Sequence, residues 1–495
     1  VLSCIGNTLI VAPWGLPPQW RDVKYVLEVD DKRIGGSVKY CTTLIPLILS
    51  MENQIKEGKV DIVIIVLDSL VDKYTRSGSS DSSTCYSCYS ELSSYIDEAN
   101  RVSSYKELTL KLNEFIREFI KCLFKKHRLD ISINLNVIVA PAIGSPGGKW
   151  VFRGDLQDYE SVVLYELGKL CLEKPYSKIV IDLSHGINFM PSLIMRIVHK
   201  LASIQLLAHK ELSSVAVEVF NSDPIPPPAS PERDIRINRA VYENIKSILL
   251  IHTIPKLIDF SSVARSDKLL MDKFLSVKEE LTDEVNKVLG SIRNIYSSLY
   301  YPLPLALHHF LCRDLCKSIE GLDNVLGKFL DYVVIERSDP NNPTVTRPIT
   351  MNPDALYIYY VVRALCKRVS IHGSEEPTID YLDSEIKPIY KYVHESLHIL
   401  IEHELSKLKE LYRDLRSSQD YQSLRNTWRT LHEIKLLVSK SSTKEGKERK
   451  PDKRILIAHA GLQEELTQIL IDDKPKLRYI LNPEEILRDS GLLVK

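Results

Sequence analysis

The sequence has no excess of charge of either sign: 65 lysines and arginines face 65 aspartates and glutamates across 495 residues. That balance excludes a general nucleic-acid coat, so any such contact has to come from a local patch. No run is apolar enough to span a membrane, and the opening "VLSCIGNTLIVAPWG" has no charged leader, so it reads as a first strand rather than a signal peptide. The expectation is a cytoplasmic protein with no membrane partner. Metal-type cysteine pairs are missing too. Of nine cysteines only Cys85 and Cys88 form a C-x-x-C, inside the serine-rich "SGSSDSSTCYSCYSE", and no second pair or histidine follows at zinc spacing. The stretch reads as a solvated surface loop with incidental cysteines, a metal or disulfide role being the lesser reading. Cys122, Cys171 and Cys366 lie in helical patterns and read as reduced core thiols. No metal and no cofactor is expected, and no repeat period is visible.

What is present is enough apolar residue, 44%, for two or three buried cores. The first half alternates strand-like and helix-like segments: "NTLIVAPWG", "TLIPLILSMENQIKE", "VDIVIIVLDSL", a long helical stretch around "YKELTLKLNEFIREFIKCLFKKH", then "INLNVIVAPAIG", "ESVVLYELGKLCLE" and "KIVIDLSHG". That order predicts an α/β, Rossmann-like parallel sheet with helices on its faces. Its strands end in loops holding Trp14 and Gly15, Asp68 and Ser69, Gly144 to Gly148, and Ser184 to Gly186, all at one edge of the sheet. The most informative is "DLSHGINFMP". Its polar and glycine residues fall between a buried strand and a helix start, where such sheets bind ligands and free N–H groups favour anions. A nucleotide or phosphate site is expected there. The glycines of "GSPGGKW" suit either a ligand approach, with Lys149 or Arg153 near phosphates, or a tight turn.

"NSDPIPPPASPERD", Asn221 to Asp234, reads as a connector because its prolines suit neither a central strand nor a helix interior. From about Asn238, including "YENIKSILLIHTI", the periodicity is helical and predicts an all-α second domain. One charged interruption, "SKSSTKEGKERKPDKR", reads as a mobile loop between helices. Behind it "RILIAHAGLQEE" sets Arg454 five positions before His459. Such a pair suits RNA cleavage without a metal. An imidazole transfers the proton of an attacking 2′-hydroxyl, and a guanidinium stabilises charge on the phosphorane-like transition state. A surface arginine near a packed histidine is the plainer alternative. "RNTWRTLHEIK" offers a second set, Arg425, Asn426, Arg429 and His432, whose spacing also fits an ordinary exposed helix face.

Taken together, "DLSHGINFMP", the amino-terminal "APWGLPPQW" and the carboxy-terminal "AHAGLQEE" behind an arginine resemble the ancillary ribonucleases of type III CRISPR systems. These join a CRISPR-associated Rossmann-fold (CARF) sensor to a HEPN ribonuclease. The resemblance implies a sensor over 1–222, a linker and connecting helices over 223–285, and a nuclease over 286–495. It implies a homodimer or higher homo-oligomer, activation by cyclic oligoadenylate, with the tetra-adenylate suiting a two-fold site, and a composite site cleaving single-stranded RNA. By motif it assigns ligand binding to Trp14, Gly15, Asp182, Ser184, His185, Gly186, Asn188 and Met190, with Pro17 and Trp20 beside them. Ser184 stands where threonine is usual and keeps the hydroxyl. Catalysis falls to Arg454 and His459. Ile455 stands where a polar residue, commonly asparagine, is usual, and this raises the alternative pair Arg425 and His432. It also favours the rival function, a ligand-sensing nucleic-acid-binding regulator without catalysis. A further possibility is slow cleavage of the cyclic ligand by the sensor through Ser184.

Overall fold

The computed structural model describes residues 6–29, 32–72, 83–224, 234–311, 313–339, 342–369, 376–439 and 450–495. Eight strands form one sheet. They are β1 (Asn7–Trp14), β2 (Lys24–Val29), β3 (Lys32–Gly35), β4 (Val60–Leu67), β5 (Asn134–Ala140) and, past the short β6 (Val151–Arg153), β7 (Tyr176–Asp182), β8 (Val215–Ser222) and β9 (Asp234–Ile245). Their order is β3-β2-β9-β8-β7-β1-β4-β5. The five from β8 to β5 run parallel, as the continuous apolar runs predict. All eight residues of β4 are buried, and each large apolar side chain so buried contributes about 1.5–3 kcal/mol.

Helices α1 (Thr84–Glu91), α2 (Tyr105–Lys126), α3 (Leu156–Glu173) and α4 (Met190–Ala208) accompany the sheet. At its β5 edge, Asn113 and Arg117 of α2 donate to the Val137 and Leu135 carbonyls at 2.9 and 2.8 Å, so the edge does not offer bare acceptors to another chain.

Three expectations are corrected here. "YENIKSI" is not helical: β9 runs antiparallel to β8 and carries the sheet to Ile245. The serine-rich cysteines are not a loop, since Thr84 to Glu91 is helical; residues 77–82 of that stretch, like 225–233 of the connector and 440–449 of the charged interruption, lie outside the described residues. Nor are the thiols all reduced. Cys41–Cys85, Cys88–Cys122 and Cys316–Cys366 are disulfides, and Cys171 alone of the cysteines in question is free and buried.

The second half is mainly helical, with α5 (Lys268–Tyr300), α6 (Pro353–Arg368), α7 (Glu395–Arg416), α8 (Leu431–Ser439) and α9 (Lys453–Ala458) as its parts used below. It also holds short strands. Thr344–Thr346 pairs parallel with β6, so the second half adds a strand to a loop of the first. The residue after that strand, Arg347, is fully buried. It ion-pairs with Asp68 at the end of β4 and donates to the Ala142 carbonyl at 3.2 Å, while Tyr105 Oη and the Ala142 amide donate to Asp68 at 2.9 and 2.8 Å. Lys200 of α4 is a second buried tie, holding Glu160 of α3 and Asp354 of α6, each at 2.8 Å. Among the described residues no helix is long and apolar enough to cross a membrane.

Candidate functional site

β1 and β7 are parallel neighbours whose carboxyl ends deliver Trp14–Gly15 and Asp182–Gly186 to one place. Chain order reverses between them, and such a switch point is where open parallel sheets hold ligands. A cavity of about 560 Å3 opens there, lined by Trp20, Arg21, Tyr25, Ser184, His185 and Asp223 among others.

Beneath it Asp182 is buried. Its Oδ2 accepts from Thr43 Oγ1 at 2.7 Å and its Oδ1 from the Ser184 amide at 3.2 Å. The Thr43 amide donates to His185 Nε2 at 3.2 Å. That contact needs an unprotonated Nε2, and burial pushes the imidazole down to about 3, so His185 is neutral with its proton on Nδ1. Trp20 lies over the His185 ring with centroids 4.1 Å apart, and Trp14 meets Trp20 edge-on at 5.1 Å. The Ser222 amide donates to Ser184 Oγ at 3.0 Å, tying this loop to the end of β8. Gly15 donates to the His185 carbonyl at 2.8 Å, and a Cβ there would come within 2.5 Å of Ile187 Cγ2, so the close approach of the two loops requires glycine. Two anchors from α1 brace the pocket walls. Thr84 donates through N and Oγ1 to Asp22 at 2.8 and 2.9 Å, and Cys85 is joined to Cys41, two residues before Thr43.

The structure thus brings together Trp14, Gly15, Asp182, Ser184 and His185, with Trp20. Of the predicted residues Ser184 and His185, with Trp20, line the cavity; Trp14, Gly15 and Asp182 stand behind its wall, and Gly186, Asn188 and Met190 do not line it either. Met190 is buried at the first turn of α4, and Asn188 is exposed with φ of 51°. The glycine loop after β5 stands elsewhere. Gly144 and Phe152 exchange backbone hydrogen bonds at 3.0 and 2.8 Å, and Asp72 accepts from the Trp150 amide at 3.1 Å. A Cβ on Gly147 would meet Asp72 Oδ2 at 2.3 Å. Backbone geometry accounts for that loop as a turn.

In the second half Arg454 lies in the first turn of α9, whose N-cap Asp452 accepts from the Arg454 and Ile455 amides at 2.9 and 3.0 Å. The Arg454 side chain is exposed and makes no ion pair among the described residues. His459 caps the other end of this short helix. Ala460 and Gly461 follow with φ of 50° and 78°, and the chain turns back so that the Gly461 amide reaches the Leu456 carbonyl at 2.7 Å. "AHAGL" is therefore a helix stop that sets one histidine at a fixed exposed position. Gly461 faces Tyr479 Oη at 2.9 Å from an ideal Cβ, leaving no room for a side chain. The His459 Nδ1 lies 3.1 Å from Glu404 Oε2 of α7.

The second arginine–histidine set is not the helix face its spacing suggested. Trp428–Thr430 is a strand, Asn426 has φ of 63°, and only His432 enters α8. Arg425 is engaged with Asp473 at 2.6 Å, and His432 stands 4.0 Å from Glu464.

Thr43, Arg21 and Glu404 were not found in the sequence. Thr43 sits in an apolar run that reads only as a helix start, and Glu404 lies 55 residues from its histidine on an ordinary charged face. Residues 9–224 match the family described as CRISPR system endoribonuclease Csx1, CARF domain, and residues 394–482 match the same enzyme's HEPN domain. The chain is also similar to the CRISPR system endoribonuclease Csx1 of Methanocaldococcus jannaschii, 24% identical over 493 residues, covering 94% of this chain and 88% of that one. The first match encloses the β1–β7 cavity, and the second encloses Arg454 and His459.

Proposed function

Because this chain belongs to the CRISPR-associated ribonucleases that join a CARF domain to a HEPN domain, we propose that it is a cyclic-oligoadenylate-activated, metal-independent endoribonuclease acting on single-stranded RNA in the cytoplasm. The sensor would occupy 1–222, extended by β9, and the nuclease 286–495. Cyclic tetra-adenylate would bind at the β1–β7 cavity of a homodimer, its adenine faces against Trp20 and His185 and its phosphates on the loop amides and Arg21. In the nuclease His459 moves the proton of the attacking 2′-hydroxyl and Arg454 meets the charge on the transition state, leaving a 2′,3′-cyclic phosphate and a 5′-hydroxyl. One such pair from each protomer would face the other.

The observation that carries this reading is an exposed Arg454, without an ion pair among the described residues, five positions before a His459 whose backbone is set by the turn that follows it, inside the segment similar to HEPN. Arg425, by contrast, is held by Asp472 and Asp473. The test is cleavage of labelled single-stranded RNA in EDTA, with and without cyclic tetra- and hexa-adenylate, by the intact protein, His459→Ala and His432→Ala. Stimulated cleavage lost only in His459→Ala supports the reading. Ligand binding without any cleavage selects the regulator instead, the reading that the half-buried Ile455 favours.

A further inference from the structure

His459 is only useful as a proton-transfer group if one ring nitrogen is held and the other left available, because a free imidazole exchanges its proton between both. The surroundings supply such a hold. Glu404 Oε2 is 3.1 Å from Nδ1, and the carboxylate lies on the buried side of the contact, its side chain 10% exposed against 47% for His459. The other oxygen, Oε1, accepts from Lys407 Nζ at 2.8 Å, which keeps Oε2 turned to the ring. Burial works against the Glu404 charge, and the hydrogen bonds from Lys407 and His459 outweigh it, so the carboxyl is held below its ordinary range and is ionised at neutral pH. The backbone that carries the ring is fixed by the Ala460–Gly461 turn and the Tyr479 Oη bond to the Gly461 carbonyl at 3.0 Å, so the ring starts from a set place beside Glu404.

We propose that Glu404 is a positioning residue for His459, accepting the Nδ1 proton's hydrogen bond so that Nε2 is the nitrogen that exchanges a proton with RNA. The assignment rests on the reading of His459 as the proton-transfer group. It adds a carboxylate to the arginine and histidine of the motif, in the way that a carboxylate orients a catalytic imidazole in other hydrolytic sites. Among the described residues Glu404, with Lys407 behind it, faces the ring from α7, and Lys453 and Arg454 are the cations on the histidine's own segment.

Glu404→Leu keeps the bulk and removes the acceptor. In the intact protein, with the His459 ring nitrogens identified by the loss of their 15N signals in His459→Ala, the expected result is a shift of the neutral ring's proton from Nδ1 towards Nε2. kcat should fall about 10-fold or more with little change in KM. An unchanged tautomer in Glu404→Leu overturns the proposal, even if activity is lost, because that loss would then be structural. Cleavage that survives in His459→Ala overturns instead the reading of the nuclease pair, and the tautomer measurement still decides the role of Glu404.

Discussion

Replacing Arg347 by methionine keeps most of the side-chain volume and removes the cation that the second half inserts into the first. Asp68 would then keep two donors, Tyr105 Oη and the Ala142 amide, with its carboxylate fully enclosed, while the Ala142 carbonyl loses a partner. Both members of the pair are 0% exposed, so water cannot replace what is lost. Breaking a buried pair from one side costs about 3–5 kcal/mol. Asp68→Asn should cost a similar amount by leaving the guanidinium without its counter-charge. The double change Asp68→Asn, Arg347→Met buries no net charge and lets the amide oxygen accept from Ala142, so it should cost far less than the sum, with a coupling of roughly 3 kcal/mol or more. Urea unfolding of the four proteins measures this; with a slope of about 3 kcal/mol/M each single change moves the midpoint down by about 1–1.7 M. Single changes costing under about 1 kcal/mol, or costs that add within about 0.5 kcal/mol, would refute the claim that this pair locks the halves together.

Asp158 is buried, and burial lifts its carboxyl to about 6. Between the unfolded value near 4 and that value the folded state holds more protons, so stability should fall as pH rises through this window, by about 3 kcal/mol in all. Asp158→Asn should remove that slope, and parallel unfolding curves from pH 4 to 7 in both proteins would show the account to be wrong. The Cys88–Cys122 disulfide closes 34 residues, worth about 4 kcal/mol by loop entropy, so Cys88→Ser, Cys122→Ser should lower the melting temperature and make it less sensitive to dithiothreitol; no shift refutes this. Gly15→Ala forces Ile187 and the His185 loop apart, and we expect a fall of 10-fold or more in calorimetric affinity for cyclic tetra-adenylate with a nearly unchanged melting temperature.

The core strands were legible because strands buried on both faces leave unbroken apolar runs, as in "VDIVIIVLDSL". β9 was not. Most of its residues are exposed and polar, and "YENI" spaces its apolar members as loosely as a helix surface does. The motifs pointed to the loop after β7 and to Arg454 and His459 because glycine and left-handed turns constrain sequence locally. What they could not carry were side chains reaching across the chain. Thr43 to Asp182 spans 139 positions, Arg347 to Asp68 spans 279, and each looks ordinary where it stands. The disulfides were missed for the same reason. Cysteines separated by 34, 44 and 50 positions leave no spacing signature, and helical context alone reads as reduced thiol.

The strand Thr344–Thr346, laid beside β6, bears on how such proteins can be recombined. A sensor exchanged at the point where the sheet ends would leave behind its own borrowed strand and the arginine that fills the end of β4. The recipient nuclease would bring a foreign pair into the same slot. Grafting a new ligand specificity onto this nuclease therefore calls for a transplant in two pieces, the sheet as far as Ile245 and the segment from Val334 to Met351, moved as one unit although nearly ninety residues of helix and connection lie between them.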